Sequence, residues 1–181
     1  PKTKDILKLK NHEIKLNYKN SNLSLKGFGE INLDKELNKI EYFVSIKDKK
    51  YNFETDLEIK DTPIKIDFIN YEKDKKLKSQ LKISGKYTKR FGLDLKKISL
   101  ISKNNKILVN NLIINKKNKI VKVDKIDLDY FDKSEKKNKF VLSRIKNNYY
   151  ELNGLLLNAD GLIANLLEGK DDQQLDIFKE N

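Results

Sequence analysis

Apolar and polar residues alternate one for one through most of this 181-residue chain, and that period of two is what any fold must satisfy. Ile14, Leu16 and Tyr18 are spaced by Lys15 and Asn17. Ile40, Tyr42, Val44 and Ile46 alternate with Glu41, Phe43, Ser45 and Lys47. Tyr51, Phe53, Thr55, Leu57 and Ile59 alternate with Asn52, Glu54, Asp56 and Glu58. Ile64, Ile66 and Phe68 follow Pro63 in the same way, then Leu81 and Ile83, Leu93 and Leu95, Ile98 and Leu100, and Ile126, Leu128 and Tyr130. Successive side chains of a strand point to opposite faces, so the pattern predicts strands with one apolar and one wet face. The apolar positions carry β-branched and aromatic residues, which suit a pleated surface.

Short polar breaks separate the runs: 20–22, 47–50, 72–76, 103–105, 116–118 and 133–138. Strand, tight turn, strand is the pattern of an antiparallel meander. We expect about ten to twelve strands over residues 1–157, forming one extended antiparallel sheet that curls into a groove. The end of the chain changes period. Leu162, Ile163, Leu166 and Leu167 fall at helical spacing, Asn158 or Asp160 can cap the start, and Gly169 suits the stop. This predicts a short amphipathic C-terminal α-helix over 158–169. Residues 170–181 then read as a linker and the start of a next unit, beginning at Ile177 and Phe178.

The formal net charge is +12, which raises the question of a polyanion partner. Of the 39 basic residues only Arg90 and Arg144 are arginines, the residue best shaped for bidentate phosphate and base contacts. The lysines are spread along the chain without a block, so they read as a solvated strand face and a nucleic-acid partner is not expected. No apolar run approaches the roughly 18 residues of a membrane helix. The chain begins at Pro1 and ends at Asn181, and the expectation is an excised piece of a longer protein.

Little here supports catalysis. The chain has no cysteine, so disulfides, thiolate chemistry and cysteine-based zinc sites are excluded. His12 is the single histidine and reads as an exposed surface residue. Asp124, Asp127, Asp129 and Asp132 form the densest acidic run, but no glycine turn of a calcium loop accompanies them. Lysines across the sheet are their expected partners. Gly27, Gly29 and Gly154 belong to no phosphate-binding pattern and read as bends or bulges. We expect no catalytic residue, no metal and no cofactor. The apolar face is then the informative feature. It is either the core of a sheet that covers itself, as in a sandwich acting through its surface, or a trough for apolar chains. Periodicity alone leaves both open.

The stretch Tyr149-Tyr150-Glu151-Leu152-Asn153-Gly154-Leu155-Leu156-Leu157-Asn158-Ala159-Asp160-Gly161-Leu162-Ile163-Ala164-Asn165-Leu166-Leu167 resembles a recurrent unit of the AsmA-like superfamily, of its YhdP and TamB type. There a strand ending in glycine passes through a small-residue Asp step into a short leucine-rich helix. The phrases Leu23 to Ile31 and Leu81 to Tyr87 are similar to the strand-glycine-strand phrases of the same proteins. The resemblance implies an envelope protein of a diderm bacterium, anchored in the inner membrane and extending through the periplasm. It implies a non-enzymatic β-groove that binds or conducts phospholipid acyl chains between the inner and outer membranes. The rest of a longer parent chain would be its other partner. The implied groove lining is the alternating set Ile14, Leu16, Tyr18, Ile40, Tyr42, Val44, Ile46, Tyr51, Phe53, Leu57, Ile59, Ile64, Ile66, Phe68, Leu81 and Ile83. The lysine density departs from the family pattern and raises the question of anionic head groups at the outer face.

Overall fold

A computed structural model describes residues 9–33, 36–147 and 149–158 of the chain. Thirteen strands run in order: β1 (Leu9–Lys19), β2 (Asn22–Leu33), β3 (Glu36–Lys47), β4 (Lys50–Ile59), β5 (Ile64–Ile66), β6 (Tyr71–Lys73), β7 (Ser79–Thr88), β8 (Gly92–Ser102), β9 (Asn105–Ile114), β10 (Ile120–Lys122), β11 (Lys125–Phe131), β12 (Lys137–Lys146) and β13 (Tyr149–Leu156). A single 3₁₀ turn, Asp67–Ile69, joins β5 to β6. The chain is mainly β, as its alternation requires.

Ten strands make one antiparallel path, β1-β2-β3-β4-β7-β8-β9-β11-β12-β13, and β10 adds to β9. The sheet does not close, since β1 and β13 stand at opposite ends of that path. The turns explain why neighbours in sequence are neighbours in space. Asn20 and Ser21, and Asp48 and Lys49, all take positive φ of 49° to 60°. Two-residue turns with both φ positive match the twist of the strands they join. The predicted helix at 158–169 and the segment 170–181 lie outside the described residues, apart from Asn158.

Pairing carries the apolar alternation straight across the sheet. Ile40 faces Leu57, Leu57 faces Leu81, Leu81 faces Leu100, Leu100 faces Ile107, Ile107 faces Leu128, and Leu128 faces Phe140. One row over, Ile83, Ile98, Val109, Ile126, Leu142 and Leu152 do the same. A slip of one residue in any pair would throw a whole row to the wet side, so the apolar pattern fixes the pairing.

The break in the meander is the segment 60–78 between β4 and β7. It contains β5, the 3₁₀ turn and β6, which pair only with each other. This hairpin lies over the apolar face as a strap. Tyr71, 1% exposed, packs with Leu100, Ile107, Leu128, Tyr130 and Phe140. Ile64 packs against that cluster and also against a second one of Ile31, Leu57 and Ile59. Strap and sheet together therefore bury the main core.

Candidate functional site

Beneath the strap lies an apolar cavity of about 720 Å³. Its floor is the sheet face: Leu57, Ile59, Leu81, Ile98, Leu100, Ile107, Val109, Ile126, Leu128, Phe140 and Leu142. Its roof is Ile64, Ile66, Phe68 and Ile69 of the strap. Leu33 and Leu152 reach it from β2 and β13. Apart from the Tyr130 hydroxyl, the polar side chains around it are those of Asn70 and Asn158. The volume falls within the range of small-molecule pockets, roughly 300–1,000 Å³.

The strap is fixed by a polar network at its base. Lys73 is fully buried, and its Nζ donates to the carbonyls of Lys60 at 2.9 Å, Thr62 at 2.9 Å and Asp74 at 3.1 Å. An ammonium has three donors, and here each one is used. Burial pulls the Lys73 pKa below its ordinary value, partly offset by Asp61 and Asp74. Asn38, also fully buried, donates to the Glu36 carbonyl and to Thr62 Oγ1, and accepts from the Lys60 amide. Thr62 Oγ1 donates to the Leu33 carbonyl. These bonds tie the strap to the ends of β2, β3 and β4.

At its far end the strap meets the β11–β12 turn. Tyr130 Oη donates to the Ile69 carbonyl at 2.8 Å, and the Lys133 amide donates to the Asn70 carbonyl at 3.0 Å. Asn70 takes a left-handed backbone with φ of 52°, a conformation asparagine tolerates well. The Tyr71 and Tyr130 rings meet edge to face with centroids 5.8 Å apart. Burial pushes the Tyr130 hydroxyl up to about 12, with the Asp132 charge adding to it. Burial also raises Tyr71, with Ser102 and Asn105 pulling the other way.

Asp132 organises the turn itself. Its Oδ1 accepts from the Ser134 and Lys136 amides, and its Oδ2 accepts from the side chains of Asn138 and Asn158. Burial pushes its pKa up, but the hydrogen bonds from Asn158, Lys136, Ser134 and Asn138 outweigh that and leave the carboxyl below its ordinary value. The Asn158 amide donates to Asn138 Oδ1. The chain leaving β13 is thereby pinned beside the strap tip.

Six of the sixteen residues expected to line a groove surround this cavity: Leu57, Ile59, Ile64, Ile66, Phe68 and Leu81. Ile40, Tyr42, Val44, Ile46, Phe53 and Ile83 are partly buried on β3, β4 and β7 and Tyr51 is exposed on β4, and none of them lines it. Ile14, Leu16 and Tyr18 lie on the end strand β1, where they are 48%, 67% and 72% exposed. The expected set stopped at β7, so it lacked the floor built by β8, β9, β11 and β12. Ile98, Leu100, Ile126 and Leu128 carry the same alternation, and that signal could have extended the set. Ile64, Ile66 and Phe68 read as one more strand of the sheet, whereas they form the roof. Pro63 and the two aspartates at 61 and 67 were the available hint of an interruption.

Other expectations meet the structure as follows. His12 is half-buried and not an open surface residue. It stands two positions from Ile14 on the apolar face, where its ring stacks on Tyr42 at 5.7 Å and covers Gly29. A β-carbon at Gly29 would come within 2.2 Å of His12 Nδ1, so that glycine makes room for a ring. Asp124, Asp127 and Asp129 pair with lysines: Asp124 with Lys122 at 2.9 Å, Asp127 with Lys106 at 2.9 Å, and Asp129 with Lys137 and Lys139. Lys82 with Asp56 and Lys86 with Asp94 continue this on the wet face. Asp132 differs, being 5% exposed and spent on the turn. Among the described residues, no group of three or more His, Cys, Asp and Glu side chains is placed to hold a metal ion.

Compared with protein-family models, with curated proteins and with solved structures, the chain matches nothing.

Proposed function

We propose that this chain is a non-enzymatic β-groove segment of a bacterial envelope protein of the AsmA-like kind, holding phospholipid acyl chains on the apolar face of its sheet. In this reading it works in the periplasm, within a longer parent chain anchored in the inner membrane, and passes lipid between the two membranes. The observation that carries the reading is the strap-covered cavity, about 720 Å³ in volume and walled by aliphatic side chains from eight sheet strands. Each methylene placed there leaves water and gains about 0.8 kcal/mol. Polar head groups would remain at the cavity mouth. Movement of lipid would need no bond making, only a continuous apolar surface. Beyond the strap the same face continues to Ile14, Leu16 and Tyr18 of β1, which are exposed and extend that surface. A self-covered sandwich would need a second large sheet, and the described residues hold one large sheet and the two-stranded strap.

The test is native mass spectrometry of the purified chain, followed by organic extraction and lipid analysis. Phospholipid should be bound. It should be lost from Val109→Asp, which puts a carboxylate on the cavity floor, and kept by Val44→Asp, on the same face but outside the cavity. Far-UV circular dichroism would check that both variants keep their sheet. A lipid-free chain that also excludes added fatty acid and lysophospholipid would end the reading.

A further inference from the structure

The strap is held unequally at its two ends. Its base carries a buried ammonium on three carbonyls and the Asn38–Thr62 network. Its tip is tied to the sheet by two hydrogen bonds, Tyr130 Oη to the Ile69 carbonyl and the Lys133 amide to the Asn70 carbonyl, and by the packing of partly buried Ile69 on the core. Phe68 at the tip is 40% exposed, although it also lines the cavity. A buried clamp at one end and a thin, partly wet attachment at the other is the distribution of a hinged cover, because local opening proceeds where few buried contacts must break. The polar side chains of the lining gather at that same end. Asn70 is on the tip, and Asn158 is held beside it through Asp132 and Asn138. An amphiphile lying along the aliphatic floor would leave its polar head there.

We propose that the strap tip, residues 67–70, is the door of the cavity, lifting from the β11–β12 turn about the paired Ile66 and Tyr71, with the Lys73 clamp holding the base, to admit a long-chain acyl amphiphile tail first. Its polar head comes to rest at Asn70 and Asn158. This rests on the apolar-ligand reading above. Tyr71 and its paired neighbour Ile66 stay on the core during the movement, and only Phe68 and Ile69 leave the cavity roof.

The chain contains no cysteine, so two introduced thiols have only each other to pair with. Asn70→Cys with Lys133→Cys places them where the two backbones already exchange a 3.0 Å hydrogen bond. Uptake of the fluorescent fatty acid cis-parinaric acid would be followed by stopped flow in the oxidised and reduced states of this one variant. Any strain from cysteine at the left-handed position is common to both states. Uptake at least tenfold slower when oxidised, restored by reductant, is the expected result. Equal uptake in both states would overturn the door and leave the cavity reading intact. No uptake by any form, the unsubstituted chain included, would remove the ligand reading and the door with it. Should the crosslink fail to form, Tyr130→Phe removes one of the two tip bonds, and uptake should be about fivefold faster. An unchanged rate in that variant would likewise overturn the proposal.

Discussion

Leu128 and Leu16 occupy equivalent places in the alternation of their strands, and both point to the apolar face of the same sheet. Leu128, under the strap, is 3% exposed; Leu16, at the β1 end, is 67% exposed. The alternation decides which face a side chain takes. It does not decide whether anything covers that face. What separates the two regions is the segment 60–78, which departs from the meander and lies down on half of the sheet. The covered half is a core with a cavity in it. The bare half is an apolar surface.

That contrast can be broken by one pair of substitutions. Leu128→Ala should cost about 2–5 kcal/mol in urea denaturation, the range for a buried leucine whose site collapses only in part. Leu16→Ala should stay within about 0.5 kcal/mol. Similar losses at both sites would mean that the β1 end is covered as well, and that the two halves do not differ as described.

The strap base gives a smaller but sharper effect. Lys73→Met keeps most of the side-chain volume and removes the ammonium from the carbonyls of Lys60, Thr62 and Asp74. Buried acceptors left without a donor carry a penalty of about 1–3 kcal/mol. Relief of the buried charge offsets part of it, and a net loss of about 2 kcal/mol is expected. The comparison is Lys15→Met on the bare half, where the lysine makes only an exposed 3.4 Å pair with Glu13. Such pairs are worth about 0–1 kcal/mol, so that variant should be near neutral. A neutral Lys73→Met would show that the strap is held by its apolar contacts alone.

These contrasts also mark how far the residues could be read without coordinates. The mainly β class, the antiparallel meander and the lysine–aspartate pairing of the wet face follow from period two and from charge placement, because both are local. The strap was not legible. Ile64, Ile66 and Phe68 alternate like any strand; Pro63, Asp61 and Asp67 hint at an interruption, but they do not say that β4 pairs with β7 and skips them. Lys73 is likewise one lysine among many, buried only because the chain folds back over it. His12 differs: its neighbours are polar, but its position two residues from Ile14 puts it on the apolar face, a local signal. Of the cavity, the floor residues carry a visible pattern, while the roof depends on pairing between segments far apart in sequence.

The smallest effect concerns the tip. Tyr130→Phe removes one hydrogen bond to the Ile69 carbonyl and should cost about 1 kcal/mol at pH 7. Its pH dependence is more telling than its size. Burial raises the Tyr130 hydroxyl from its ordinary 10.0 to about 12. Between those values the unfolded chain has given up the proton and the folded one has not, so the unfolded state binds fewer protons and stability falls as pH rises. The contribution is complete below pH 10 and lost as pH climbs through the folded value. Lys73 acts in the opposite sense: its pKa lies below the ordinary 10.5, so stability rises with pH up to that value. Because both proteins carry Lys73, the difference between them isolates the tyrosine. Two pKa units correspond to about 2.7 kcal/mol, so the unsubstituted chain should lose its 1 kcal/mol advantage near pH 11 and be the less stable one above it. Guanidinium titrations of both proteins from pH 8 to 11.5 would show the curves cross. Parallel curves would mean that water already reaches Tyr130, and that the tip stands open in the folded chain.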